Sequence, residues 1–194
     1  KGHVAICLNS KNLIHAYGPE KKVLVMPIIK TINKIQETAK LKVKSPCIIA
    51  GIELVEKIFK YYDSKIEFEK LIDDGAFVNS NSTPFIVKGN AKSILATERL
   101  VLNTMQRMSG IATITNKLKK KINPFKTILL DTRKTTPNFR YPEKWAVKIG
   151  GGENHRMGLF DAIMIKDNHI DFSNNLEDVL NKTHKYLNKI KTVK

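Results

Sequence analysis

Long apolar segments, cysteine and arginine are all scarce in this sequence of 194 residues. No segment is long and apolar enough to span a membrane, and no secretory signal is visible at the N-terminus. The two cysteines, Cys7 and Cys47, show neither metal-ligand spacing nor a disulfide framework, so we expect a reduced, cytoplasmic setting. With 42% hydrophobic residues, the chain is expected to be globular and to form one or two domains.

Acidic residues are also few, and the net charge is +16. Such a charge by itself suggests a nucleic-acid partner. The lysines are scattered along the chain, however, with no basic stripe interleaved with aromatic residues and no known nucleic-acid-binding motif. We therefore expect no nucleic-acid and no membrane partner, and favour small anionic substrates, which explain part of the charge.

Two stretches repeat one local pattern, a short apolar run followed by charged residues. Residues 127–130 run into Asp131 and Arg133, and residues 162–165 run into Lys166. Apolar runs of this length, bounded by polar residues, are typical of strands buried on both faces of a parallel sheet. Charged residues at the ends of such strands predict an α/β barrel, because these strand ends carry the chemistry in barrels.

Arginine is the rare basic residue, with five examples that all lie between positions 99 and 156. A guanidinium binds carboxylate or phosphate through two parallel hydrogen bonds, whereas an ammonium is only a point charge. For any single arginine, a local ion pair or a helix cap is an equally open interpretation. As a group, the basic residues near the predicted strand ends predict an anion site formed by Arg133, Lys134, His155, Arg156 and Lys166.

Hydrophobic periodicity predicts a strand-rich part followed by helices. Helices are predicted over 52–62, 91–122, 143–149 and 176–187, with a possible division of the second at Ser109-Gly110, and a helix or linker over 31–40. Further strands are predicted over 4–8, 13–17, 23–29, 41–43, 47–50, 65–69, 76–79, 84–88 and 190–193.

Seven short motifs occur in the order in which one enzyme family has them. They are Glu98-Arg99, Ser109-Gly110-Ile111-Ala112-Thr113, Asp131-Thr132-Arg133-Lys134-Thr135-Thr136-Pro137, Gly150-Gly151-Gly152, Asn154-His155-Arg156, Gly158-Leu159 and Ile165-Lys166-Asp167-Asn168-His169. Because several motifs agree in order, the signal is much stronger than a lone glycine triplet. From about Thr38 to the C-terminus, the chain resembles nicotinate-nucleotide pyrophosphorylase, also called quinolinate phosphoribosyltransferase.

This resemblance implies an α/β fold, with a small α+β N-terminal domain followed by the first part of an α/β barrel. It implies transfer of a phosphoribosyl group from phosphoribosyl pyrophosphate to quinolinate in NAD biosynthesis, which yields nicotinate mononucleotide, pyrophosphate and CO2. Mg2+ would accompany the pyrophosphate, and no residue here is expected to bind the metal. The implied substrate-binding residues are Arg99, Arg133, Lys134, His155, Arg156 and Lys166, of which Lys134 and Lys166 would be catalytic.

The resemblance also implies a homodimer or a higher homo-oligomer, because the family's arginine that matches Arg99 reaches the active site of a neighbouring subunit. Asn138 stands where the family usually has glycine. Since asparagine adopts left-handed backbone conformations more readily than most residues, the turn is expected to survive. The family's barrel has further strands, with a glutamate, an aspartate and a glycine-rich phosphate turn, so we expect an incomplete chain that is inactive alone.

Residues 1–31 instead resemble the C-terminal hairpins of NlpC/P60 cysteine peptidases, with His3 and His15 at that family's two polar strand positions. An ordinary hairpin with two exposed histidines is an equally open interpretation. The expected domains are therefore an unassigned hairpin segment over 1–31, the α+β domain with its connecting helices over 32–122, and the start of the barrel over 123–194. Two alternative functions are a molybdenum-transport paralogue of the same fold and a peptidase-derived interaction module.

Overall fold

The computed structural model describes residues 36–189 in full and, before them, the backbone of three strands. These are β1 (Ala5–Cys7), β2 (Asn12–Tyr17) and β3 (Lys22–Pro27), which form an antiparallel sheet in sequence order. The strands expected over 4–8, 13–17 and 23–29 are thereby confirmed. His3 and the strand expected over 190–193 lie outside the described residues.

The rest of the described chain places short strands first and helices last. The strands are β4 (Gln36–Lys40), β5 (Cys47–Ile48), β6 (Glu67–Lys70), β7 (Phe77–Val78) and β8 (Phe85–Asn90). The helices are α1 (Ile52–Tyr62), α2 (Ala91–Ile122), α3 (Arg140–Ile149), α4 (Asp167–Asp171) and α5 (Leu176–Lys189). The four helices predicted from periodicity are confirmed, whereas the single turn of α4 was not predicted.

The small N-terminal domain holds two antiparallel sheets, with the strand orders β4-β8-β6 and β5-β7. The prediction of a helix or linker was wrong for 36–40, because this polar segment pairs along its whole length with β8, from Gln36 opposite Asn90 to Lys40 opposite Ile86. The strand expected over 41–43 was also wrong. There, Val43 donates a backbone hydrogen bond to the Ser82 carbonyl and accepts one from the Asn81 N–H, but the segment forms no strand.

Helix α1 covers these sheets with the apolar face that its periodicity predicts. Ile52, Val55 and Phe59 are all buried. The Phe59 ring lies 6.0 Å from that of Phe68 and 6.2 Å from that of Phe85. Burying one aromatic side chain contributes roughly 1.5–3 kcal/mol, so this aromatic cluster is a main source of stability for the domain.

Helix α2 is one continuous helix of 32 residues, about 48 Å long, and is not divided at Ser109-Gly110. The Ser109 hydroxyl is occupied outside its own helix, because it accepts a hydrogen bond from the Ala50 N–H at 3.0 Å and donates to the Ala50 carbonyl at 3.3 Å. Gly110 lies on the exposed side, where it disturbs no packing. The serine therefore does not compete with the helix backbone.

A second apolar core joins the two halves of the chain across α2. It contains Ile48 and Ala50 from the β5 region, Met108 and Ala112 from α2, and Ala146 from α3. Small side chains at its centre let the two helices approach closely. The shared core thereby fixes α3, and the residues that follow it, against the N-terminal domain.

The two apolar runs do not form strands buried on both faces, so that prediction was wrong for this structure. Residues 127–130 make a single parallel bridge, in which Leu130 pairs with Glu153, and residues 162–165 pair with no strand among the described residues. Ile128 is 64% exposed and Ile163 is 39% exposed. A buried parallel strand needs a neighbour on each side, and the described chain supplies at most one.

The closeness of α2 and α3 leads to a test of the first glycine in the triplet. A Cβ at Gly150 would lie 2.5 Å from the Ala112 carbonyl oxygen and 2.7 Å from the Thr115 Cβ, although its backbone φ of −73° suits alanine. Gly150→Ala should therefore lower the free energy of unfolding by about 1–3 kcal/mol through overpacking. Urea unfolding measures this change.

Gly110→Ala is the matched control, because its added Cβ meets nothing within 4 Å. It should stabilise the chain by up to about 1 kcal/mol through helix propensity. Equal stability of Gly150→Ala and the parent would contradict the tight helix contact.

Candidate functional site

The parallel bridge between Leu130 and Glu153 brings two parts of the predicted basic group to one edge. The Glu153 N–H donates to the Leu129 carbonyl at 2.8 Å, and the Asp131 N–H donates to the Glu153 carbonyl at 3.1 Å. Since the two segments run in the same direction, the residues that follow them leave on the same side. We call Arg133, Lys134, His155 and Arg156 the strand-end cluster.

The buried Asp131 side chain links these two segments through hydrogen bonds. One of its carboxylate oxygens accepts the His155 backbone N–H at 2.8 Å and also the ammonium group of Lys144 from α3. The Lys144 side chain is 1% exposed and that of Asp131 is 6% exposed. With the Asn154 amide oriented so that its nitrogen faces acceptors, this nitrogen donates to the second Asp131 oxygen at 2.9 Å and to the Lys144 carbonyl at 2.8 Å.

The His155 ring is held by the residue that follows it. The Arg156 backbone N–H donates to His155 Nδ1 at 2.7 Å. A neutral imidazole with an accepting Nδ1 carries its proton on Nε2. With Nδ1 accepting this bond, Nε2–H is the remaining ring donor of the half-buried His155.

Two arginines of the strand-end cluster have unused donors. Within residues 36–189, the buried side-chain nitrogen and oxygen atoms that lack a partner are Arg133 Nε and Arg156 Nε. The terminal nitrogens of Arg156 make only long contacts, 3.4 Å to the Ala162 carbonyl and 3.7 Å to Met164 Sδ. Unpartnered buried donors are rare in folded proteins, so both guanidinium groups suit an anionic ligand.

The segment after Arg133 is fastened by a second ionic contact, which sequence reasoning missed. Glu143 on α3 accepts hydrogen bonds from Arg107 Nε at 2.8 Å and from the Thr136 hydroxyl at 2.7 Å. Burial alone would raise the pKa of Glu143, but the hydrogen bonds from Thr136 and Arg107 outweigh it and hold the pKa below its ordinary value. This contact joins α2, α3 and the loop that carries Arg133.

Arg140 and Asn138 shape the same loop. Arg140 donates from Nε to the Thr135 hydroxyl and from a terminal nitrogen to the Met157 carbonyl, both at 3.1 Å. Asn138 has a φ of 59°, which confirms that asparagine keeps the left-handed turn. Arg107 and Arg140 thus have the structural role that the sequence left open for any single arginine.

The other predicted site residues are more exposed. Lys134 is exposed beside Arg133, and Lys166 is exposed at the N-terminus of α4, where its backbone N–H donates to His169 Nδ1 at 3.0 Å. Arg99 lies on the exposed face of α2, and its side chain makes no hydrogen bond or ion pair with another described residue. The structure therefore groups Arg133, His155 and Arg156 through Asp131, but joins neither Lys166 nor Arg99 to them by a contact.

Lys144 and Asp131 were not predicted as site residues. Lys144 stands beside Glu143 and Trp145 in an ordinary amphipathic pattern, so no local signal marks it as buried. Within the residues that the structure describes, no group of three or more His, Cys, Asp or Glu side chains could hold a metal ion. No helix in that part of the chain is long and apolar enough to cross a membrane.

Comparison with known proteins gives consistent matches along most of the chain. The family model for the N-terminal domain of quinolinate phosphoribosyl transferase matches residues 26–109, and that for its C-terminal domain matches residues 111–194. Quinolinate phosphoribosyltransferase [decarboxylating] 1b of Nicotiana tabacum is 46% identical over 153 residues, which are 79% of this chain and 43% of that protein. The chloroplastic nicotinate-nucleotide pyrophosphorylase [carboxylating] of Arabidopsis thaliana is 44% identical and matches 74% of this chain and 41% of its own length.

Solved structures agree with these matches. The nicotinate-nucleotide pyrophosphorylase from Francisella tularensis superposes with a TM-score of 0.74 at 42% identity, covering 81% of this chain and 56% of that one. The enzyme of the same name from Ehrlichia chaffeensis gives 0.76 at 32% identity, covering 83% and 60%. The expected fold class, α/β with a small α+β domain first, is confirmed. The chain spans less than half the length of these two curated relatives.

The lowered pKa of Glu143 leads to a pH-dependent prediction. Because the folded chain binds this proton less tightly than the unfolded chain, the stability from Glu143 is present above its ordinary pKa of 4.5 and is lost as the pH falls through the lowered value. Glu143→Gln should therefore be less stable than the parent by about 1–3 kcal/mol at neutral pH, and this difference should shrink in acid.

Urea unfolding over a series of pH values from neutral to acid checks this expectation. The exposed Glu153→Gln is the control, since only the backbone of Glu153 takes part in the bridge. A stability difference between Glu143→Gln and the parent that stays constant with pH would disprove the ionic role of Glu143.

Proposed function

Because the chain belongs to the quinolinate phosphoribosyltransferase family, we propose that the strand-end cluster binds quinolinate for transfer of a phosphoribosyl group. The donor is phosphoribosyl pyrophosphate, and the products are nicotinate mononucleotide, pyrophosphate and CO2. The reaction is the one named for the relatives, and the expectation that this chain is inactive alone stays a prediction. The site residues and their roles are part of the proposal.

One observation carries the proposal, namely the pair of unpartnered guanidinium donors at Arg133 and Arg156. Quinolinate has two adjacent carboxylates on one pyridine ring, and a guanidinium binds a carboxylate through two parallel hydrogen bonds. His155 adds a further donor at Nε2 beside Arg156. Two guanidinium groups and one further donor suit a dicarboxylate better than a monocarboxylate.

The reaction requires stabilisation of negative charge at two places. The pyridine nitrogen forms a bond to the ribose anomeric carbon while the bond from this carbon to pyrophosphate breaks, and pyrophosphate leaves with the electron pair. The adjacent carboxylate is then lost as CO2, and its electron pair stays on the ring carbon until a proton replaces it. Cations placed before charge develops lower such barriers, and Lys134 and Lys166 are proposed for this role.

Mg2+ is proposed to arrive with phosphoribosyl pyrophosphate as part of the substrate. Mg2+ commonly binds substrate phosphates and keeps several waters, with few protein ligands. Mg2+ that is bound mainly by substrate phosphates needs few protein ligands. In the described part of the chain, acidic residues are not grouped for metal binding. The exposed ammonium groups of Lys134 and Lys166 could then contact phosphate oxygens directly.

The compartment and the assembly remain predictions. The Arabidopsis relative is named as chloroplastic, so the cytoplasmic setting expected from the cysteines is kept here only as a proposal. The peptidase resemblance of residues 1–31 also stays a prediction, because His3 is outside the described residues.

Isothermal calorimetry tests the proposed ligand. The chain should bind quinolinate more tightly than nicotinate, which offers one carboxylate to the two arginines. Losing one buried charge-assisted contact costs about 1.5–3 kcal/mol, or roughly tenfold to a hundredfold in affinity. Lys148→Met, an exposed change on α3, serves as the control and should bind both ligands as the parent does. Equal affinity for quinolinate and nicotinate would reject the dicarboxylate assignment.

Sedimentation tests the proposed homo-oligomer. Arg99 is exposed on α2 without a described partner, and Leu95, one turn earlier, is 58% exposed. The folded chain should therefore be at least dimeric, with Arg99 completing the site of a second copy. Arg99→Ala should remain dimeric but bind quinolinate more weakly. A well-folded parent monomer that binds quinolinate would refute the role of Arg99 across the interface.

A further inference from the structure

The ion pair between Lys144 and Asp131 differs from every other ion pair in the described residues. The remaining pairs each have at least one partner that is 46% or more exposed, for example Lys182 at 65% and Arg107 at 55%. Exposed pairs add little to stability. The Lys144 and Asp131 side chains are only 1% and 6% exposed, so both charges have been removed from water.

Three of the roughly four acceptor positions of the Asp131 carboxylate are already used within the protein. It accepts from Lys144, from the His155 N–H and, on its second oxygen, from the Asn154 amide. The Asn154 amide also donates to the Lys144 carbonyl. We call Asp131, Lys144 and Asn154 the Asp131 network. Its members bond to one another and to backbone beside the strand-end cluster.

Stability alone does not explain such a network. Removing two charges from water is costly, and buried ion pairs can often be replaced by apolar residues with no loss of stability. What the network does supply is a fixed relation between the two strand ends. Asp131 precedes Arg133 by two residues, and it holds the backbone of His155 directly before Arg156.

We propose that Lys144, Asp131 and Asn154 are positioning residues that set Arg133 at the correct distance from His155 and Arg156 for one ligand. The proposal rests on the proposed function, because the ligand is the dicarboxylate assigned there. Lys144 acts from α3, which packs on α2 through Ala146 and the shared core. The spacing of the ligand-binding side chains is thereby set from a helix that is packed into the shared core.

Three variants of the full chain test this role. Lys144→Met removes the cation and keeps most of the volume. The double variant Asp131→Asn/Lys144→Met removes both charges, so no uncompensated buried charge remains and the fold should melt near the parent temperature. Lys148→Met, one turn further along α3 and exposed, is the matched control and should behave as the parent.

Two readouts separate positioning from general stability. Hydrogen exchange by mass spectrometry should show faster exchange in 153–156 for Lys144→Met and for the double variant, with no change in α1. Quinolinate affinity, measured by calorimetry, should fall by about tenfold or more in both, because small misplacements of binding groups have costs of this order.

The exchange and affinity results decide whether the Asp131 network positions the strand-end cluster. A double variant that exchanges and binds as Lys148→Met does would overturn the proposal. So would exchange that rises equally in 153–156 and in α1, since that pattern means general destabilisation. If the parent itself fails to bind quinolinate, the proposed function falls, and the exchange pattern alone then decides whether the network fixes the strand ends.

Discussion

A carboxylate that is withdrawn from water must be compensated completely, and this constraint governs the C-terminal half of the described chain. Asp131 is compensated by a lysine from α3 and by donors from Asn154 and His155. Helix α3 and the two strand ends therefore have to keep one fixed arrangement relative to one another. The single backbone bridge between Leu130 and Glu153 could not enforce it alone, whereas several charge-assisted bonds can.

Arginine is used in two ways in this lysine-rich chain. Arg107 and Arg140 bind protein groups and shape the loop that follows Asp131. Arg133 and Arg156 retain buried donors without partners. Scarcity of arginine thus indicated where planar, two-pronged hydrogen bonding is needed, but it could not separate the arginines that build the site from those proposed to bind the ligand.

Local patterns were sufficient where a segment decides its own structure. The apolar face of 52–62 predicted α1 with the bounds that the structure has, and Asn138 adopts the turn that asparagine permits. Patterns failed where the outcome depends on a distant partner. Residues 36–40 are polar yet form a strand because β8 lies beside them, and residues 127–130 look like a buried strand but lack the neighbours that would bury them.

The candidate site shows the same division. The basic residues at the two strand ends were predictable, since each belongs to a recognisable motif. Lys144 was not, because its burial results from pairing with Asp131, 13 residues away, and nothing in its own helix distinguishes it from the exposed Lys148. Long-range compensation of charge is a tertiary property, and periodicity carries no information about it.

The continuity of α2 has a consequence for how the chain unfolds. The two family matches meet near residue 110, in the middle of a helix that contributes Met108 and Ala112 to one core shared by both halves. Neither half can melt without exposing that core, so heat should produce a single cooperative transition with equal calorimetric and van't Hoff enthalpies. Two regions that look separable in sequence are thus expected to behave as one thermodynamic unit.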